Sequence, residues 1–143
     1  MAVRPGPTAG KRRFLIAHVA LLVGIVLHGA DHVRQGLGDL NAQVFWGGVV
    51  IAVVALVTLP VSAANGPRTP LVAAVVGFGI AIAVTSSHIA PHWSAFSYSY
   101  PQRSVDAVSW AAMLTEVVAA LALGIVGATE LRRRAGALSA SPS

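Results

Sequence analysis

Residues 14–35 read FLIAHVALLVGIVLHGADHVRQ. Up to Ala30 the run is apolar apart from His18 and His28. An α-helix rises 1.5 Å per residue, so roughly 20 residues cross a hydrocarbon core. The apolar part falls just short of that length and reaches it by continuing through Asp31 and His32 to Gln35, which predicts a membrane helix with a polar tip. Three further apolar stretches, 44–64, 71–90 and 107–129, are long enough to span without such a tip. Four spans with short connections predict an all-α integral membrane four-helix bundle.

The composition agrees. The chain has 143 residues, of which 55% are hydrophobic and only 10% charged, against about 25% charged in soluble domains. The mean hydropathy is +0.72. The pI of about 11.2 suggests nucleic acid until the charges are placed. Arg4, Lys11, Arg12 and Arg13 precede the first stretch, Arg68 lies between the second and third, and Arg132, Arg133 and Arg134 follow the fourth. Only Arg34 and Arg103 fall at the opposite level. That asymmetry is a topology signal, predicting both termini in the cytoplasm and a chain in the cell membrane, with the bilayer and no nucleic acid as partner. No cysteine is present, which excludes disulfides, thiolate metal sites and iron–sulfur clusters. The first stretch is followed by no small-residue cleavage site and reads as a retained helix, not a signal peptide. Residues 1–13 and 131–143 read as cytoplasmic tails, the first of them basic.

Within the spans, polar residues are few and therefore informative. His28, Asp31 and His32 share a helix face, as do His88 and His92, because positions i, i+3 and i+4 align. The first and third helices run in the same direction, so all five residues come to one membrane level, near the extracytoplasmic face. Imidazole suits zinc, copper and iron, and an added carboxylate suits zinc or non-haem iron. His28, Asp31, His32, His88 and His92 are accordingly the expected ligands of a divalent transition metal. The plain alternative is that these residues solvate helix ends.

Glu116 lies about 15 Å inward of Asp106 along the fourth stretch, near the bilayer midplane. A bare carboxylate is costly there, so it must be neutral, paired or facing a hydrated interior. Asp106, Ser109, Met113 and Glu116 form one polar stripe, and Glu116 and Asp106 are read as supporting the histidines or relaying protons. His18 lies about 15 Å from His28 and is expected to hydrogen-bond between helices. Thr85, Ser86 and Ser87 precede His88 and read as backbone or ligand supports. Gly24, Gly29, Gly47, Gly48, Gly77 and Gly79 would admit close helix contact, and the nearly featureless second stretch is expected to face lipid or a partner. The loop 91–105, PHWSAFSYSYPQRSV, holds Trp93, Phe96, Tyr98 and Tyr100. Its rings belong either to the membrane interface or to a lid over the histidines.

Histidine pairs at helix ends distantly resemble the histidine boxes of membrane fatty-acid hydroxylases and desaturases, whose di-iron sites act on acyl chains. The resemblance covers His28/His32 and His88/His92 alone. Those families carry more histidines and hold them on the cytoplasmic side, so membership is not implied. Three functions compete: a metal-dependent oxidoreductase or hydrolase, a b-type haem carrier with His28–His88 or His32–His92 as axial ligands, and a metal or proton carrier or accessory subunit. One copy has little room for alternating access, so transport would call for a homo-oligomer or a larger membrane complex.

Overall fold

The computed structural model describes residues 7–139; residues 1–6 and 140–143, parts of the expected tails, lie outside the described residues. The elements are α1 (Pro7–Gln35), a 3-10 turn (Leu37–Asp39), α2 (Ala42–Ala64), α3 (Thr69–His88), α4 (Tyr100–Arg103) and α5 (Ala107–Ser139). Both outer helices overrun their expected bounds. α1 begins at Pro7, and α5 passes residue 129 to reach Ser139. Lys11 to Arg13 and Arg132 to Arg134 thus continue the helices instead of lying in tails. The reason is local: arginine, lysine and alanine are strong helix formers, and Pro7 occupies a first turn where its missing N–H costs nothing.

Caps explain the other ends. Asn41 accepts the Val44 amide at 2.8 Å and starts α2, as an N-cap side chain does. Asn65, left-handed at φ 52, closes α2, and Pro70, the second residue of α3, sits in its first turn. Gly36, at φ 101, ends α1 in a conformation that favours glycine. Asp106 accepts the Ser109 amide at 3.0 Å and starts α5.

The four long helices form an antiparallel ring in the order α2, α1, α5, α3, with α5 packed deeply against both α1 and α3. Three glycines allow the closest approaches. A Cβ on Gly24 would lie 2.7 Å from the Glu116 Cα, and one on Gly77 would meet the Ala120 and Gly124 backbones. Gly127 meets Pro70 and Ala74 in the same way. Of the glycines expected to allow contact, Gly29, Gly48 and Gly79 instead face open space, and Gly47 makes only an ordinary contact with Phe96. Spacing alone does not say which face of a helix meets its neighbour.

The interior is Phe14, Leu21, Met113, Ala120 and Leu123. Large apolar residues remain exposed on every span, among them Val26, Val57, Val75, Ile82, Val118 and Ile125. Four helices are long and apolar enough to cross a membrane. Exposed apolar surface on that scale is a liability in water and the normal condition in lipid, so the chain is a membrane protein. α2 is the least embedded span, burying only Ala55 and Ser62, as its featureless sequence suggested.

Candidate metal centre

The last two turns of α1 carry His28 and His32, and the last residue of α3 is His88. α1 and α3 stand diagonally across the ring, so these side chains meet on the bundle axis. The His28 ring centroid lies 4.7 Å from that of His32 and 4.7 Å from that of His88, and His32 and His88 are 5.4 Å apart. Each ring offers one nitrogen to a group whose members all lie within 4.8 Å of one another. Tetrahedral ligands at about 2.0–2.1 Å from a zinc ion stand roughly 3.3 Å apart.

The hydrogen bonds set the ring tautomers and leave the His88 Nε2 lone pair free for such a site. His88 Nδ1 faces the Tyr98 carbonyl at 3.3 Å. A carbonyl only accepts, so Nδ1 carries the proton and Nε2 keeps its lone pair. His28 Nδ1 lies 2.6 Å from Glu116 Oε2, and both side chains are buried. A carboxylate there accepts a hydrogen bond from Nδ1–H and leaves the lone pair on Nε2, the arrangement that orients ligating histidines. The Tyr100 hydroxyl lies 3.2 Å from that Nε2 and donates to its lone pair, a bond that metal ligation through this nitrogen would replace. Burial pushes the Tyr100 hydroxyl up from its ordinary value, so it remains a donor. His32 Nδ1 is buried and has no hydrogen-bond partner. Buried polar atoms are seldom left unpaired; an orphaned imidazole nitrogen beside two other imidazoles suits a cation ligand.

Glu116 is held where Gly24 lets α5 come up against α1. Ser109, Met113 and Glu116 are all buried on one face of α5, the stripe expected from their spacing. The stripe divides into two tasks. Glu116 reaches His28, whereas Asp106 is exposed and reaches Arg34 at 2.9 Å. The Ser109 amide, and then the Arg34 guanidinium, hold the Asp106 carboxyl below the usual carboxylate range.

Two expected ligands stand apart from the histidine group. Asp31 is buried, but its oxygens are taken by Arg34 at 2.8 Å and Gln35 at 2.5 Å. It shares a helical turn with the histidines yet serves the α1–α5 contact. His92 is exposed because α3 stops at His88, and beyond that point the i, i+4 alignment no longer holds. Helical spacing was extended four residues too far.

His18 makes the interhelical bonds expected of it. Its Nε2 donates to the Ala55 carbonyl at 2.8 Å, so Nδ1 accepts from the Ser62 hydroxyl at 2.8 Å. Both nitrogens are used. Between this level and Glu116 the interior holds Leu21, Val117 and Ala120, which offer no hydrogen bonds to a relay.

The aromatic loop takes both expected roles, residue by residue. Trp93 and Phe96 are exposed, as interface residues are. Tyr98 and Tyr100 turn inward and are buried. Their rings lie against His32 at 5.3 Å and His88 at 4.8 Å respectively. The lid is fastened by the terminal carbonyls of α3: Ser87 accepts the Tyr98 amide at 2.8 Å and Ser86 accepts the Trp93 indole N–H at 2.9 Å. The loop rings were expected either at the interface or in a lid, but the sequence reading did not separate these two tyrosines from Trp93 and Phe96. The signal available was the Ser97-Tyr98-Ser99-Tyr100 alternation, which puts both rings on one side of an extended segment.

Comparison with known proteins adds nothing to this geometry: no family model, no curated protein and no solved structure matches the chain.

Proposed function

We propose that this membrane protein holds one transition metal ion, zinc, iron or copper, on His28, His32 and His88. Three imidazoles leave a fourth position for water or substrate, the arrangement of catalytic rather than closed structural sites. A metal-dependent oxidoreductase or hydrolase is therefore the activity class that this ligand set suits best. When bound, such an ion supplies Lewis acidity, a lowered pKa for its water, or one-electron chemistry. The chain's own residues do the rest. Glu116 fixes the His28 ring and its tautomer, the Tyr98 carbonyl fixes His88, and the two tyrosine rings exclude water. The positive-inside distribution of arginine supports placing the site near the extracytoplasmic face of the cell membrane, with both termini in the cytoplasm.

The observation that carries this reading is the convergence of one ring nitrogen from each of His28, His32 and His88, together with the unpartnered, buried His32 Nδ1. Haem is less well supported. His28 and His88 face each other at 4.7 Å between centroids and 73° between planes, which leaves no flat slot for a porphyrin between axial ligands, and His92 is exposed away from His32. The test is elemental analysis and an absorbance spectrum of protein purified in detergent without chelators, beside a His28→Ala/His88→Ala variant. One ion per chain, lost in the variant, is expected. Metal-free wild-type protein overturns the proposal, and a Soret band transfers it to haem.

A further inference from the structure

At the end of the bundle opposite the histidines, a cavity of about 350 Å³ opens between α1 and α5. Its lining combines Arg13, Arg133 and Arg134 with the apolar Phe14, Ile125 and Val126, and the order of these residues along α1 and α5 puts the arginines at its outer rim. We propose that this cavity binds one anionic phospholipid, with the phosphate at the arginine rim and an acyl chain running down α5.

Three features carry the assignment. The first is unspent positive charge. Arg133 and Arg134 share Glu130, at 3.4 and 3.1 Å, and Arg134 also donates to the Gly66 and Pro67 carbonyls. Arg13 has no partner among the described residues. Three guanidiniums against one carboxylate leave a net surplus facing the cavity. The second is the level. The rim sits where the apolar part of α1 begins after Arg13 and where α5 turns from Ile125 and Val126 to Glu130, which is where lipid phosphates lie beside a spanning helix. The third is the track below. Ile125, Leu121 and Val118 are exposed in succession on α5, at the four- and three-residue spacing that makes one continuous helix face. A soluble phosphate would use the rim and leave that track bare; a phospholipid uses both.

Guanidinium groups bind phosphate through paired donors, and a basic residue near the headgroup plane changes the affinity for anionic lipid about fivefold. The experiment is native mass spectrometry of detergent-purified protein titrated with phosphatidylglycerol or phosphatidylcholine, repeated with excess inorganic phosphate. Arg13→Gln is the test variant. Arg12→Gln, which removes the same charge one residue away and outside the cavity, is the control. Expected are selective retention of phosphatidylglycerol, a loss of about fivefold in Arg13→Gln, and a change below about twofold in Arg12→Gln. Equal losses in both variants would mean diffuse attraction to a basic end and would overturn the site. Displacement by inorganic phosphate at equal concentration would make it a phosphate pocket and overturn the lipid. Thermal midpoints of the lipid-free variants, expected to match wild type, guard against misfolding. The outcome is independent of whether the histidines bind metal.

Discussion

Replacing Glu116 tests the metal centre from behind. His28 Nδ1 and Glu116 Oε2 are 2.6 Å apart, with 7% and 4% of the two side chains exposed, so the bond is short, charge-assisted and sheltered from competing water. A carboxylate in this position fixes the ring, sets the tautomer and raises the basicity of the other nitrogen. Its loss costs 10–100-fold in metal affinity, about 1.4–2.8 kcal/mol. Glu116→Ala should show that full loss. Glu116→Gln keeps an acceptor oxygen but no charge, and should fall near the lower end, about tenfold. The assay is a cobalt(II) titration of apoprotein in detergent against a chromophoric chelator, with the visible cobalt bands reporting the coordination geometry. Removing the acceptor also leaves a buried N–H unpaired, at about 1–3 kcal/mol of stability, so the apoprotein melting midpoint is measured in parallel. If Glu116→Ala binds cobalt as tightly as wild type while remaining folded, the carboxylate is not supporting a ligand and the reasoning fails.

Three further outcomes are expected. His32→Ala should abolish stoichiometric metal retention, while His92→Ala leaves it unchanged, as read by elemental analysis; the reverse result would return the exposed histidine to the site. Gly77→Val should cost at least about 1–3 kcal/mol, because the new atoms meet the α5 backbone and cannot be accommodated by a side-chain shift. Gly79→Ala faces open space and should be neutral or stabilising by up to about 1 kcal/mol, the pair being compared by size-exclusion profiles after heating. Finally, because the Asp106 carboxyl is held below its ordinary range, its stabilising contribution is fully present above about pH 4 and fades as the pH falls through the folded value. Hydrogen exchange at the Ser109 amide should accelerate on acidification in wild type. In Asp106→Asn it should be faster than wild type at neutral pH and lack that acid-dependent step.

Much of the fold was legible because lipid imposes a simple rule. Backbone groups must bond within the segment, so a long apolar run of this length is a helix. The polar exceptions were legible for the same reason, since a histidine or glutamate in a span demands a partner. His28, His32, His88 and Glu116 stand out in that way. Helix ends were less legible. Arg132 to Arg134 and Lys11 to Arg13 look like tail residues by charge but are good helix formers, and local propensity prevailed. The position of His92 was not legible because periodicity says nothing about where a helix stops; the chain turns after His88, where α3's carbonyls are taken up by the loop.

Composition and pattern alone determined the four helices and the one level at which the histidines of α1 and α3 fall, because both follow from helical geometry and the cost of burying polar groups in hydrocarbon. Only the tertiary structure decided who meets whom. The diagonal placement of α1 and α3 brings His28, His32 and His88 together, the close approach at Gly24 brings Glu116 to His28, and Arg34 draws Asp31 away. The inward turn of Tyr98 and Tyr100 depends on the loop bonding back to Ser86 and Ser87. Those choices rest on contacts between segments up to 88 residues apart, and no local pattern encodes which of several equally polar neighbours a side chain will find when the helices pack.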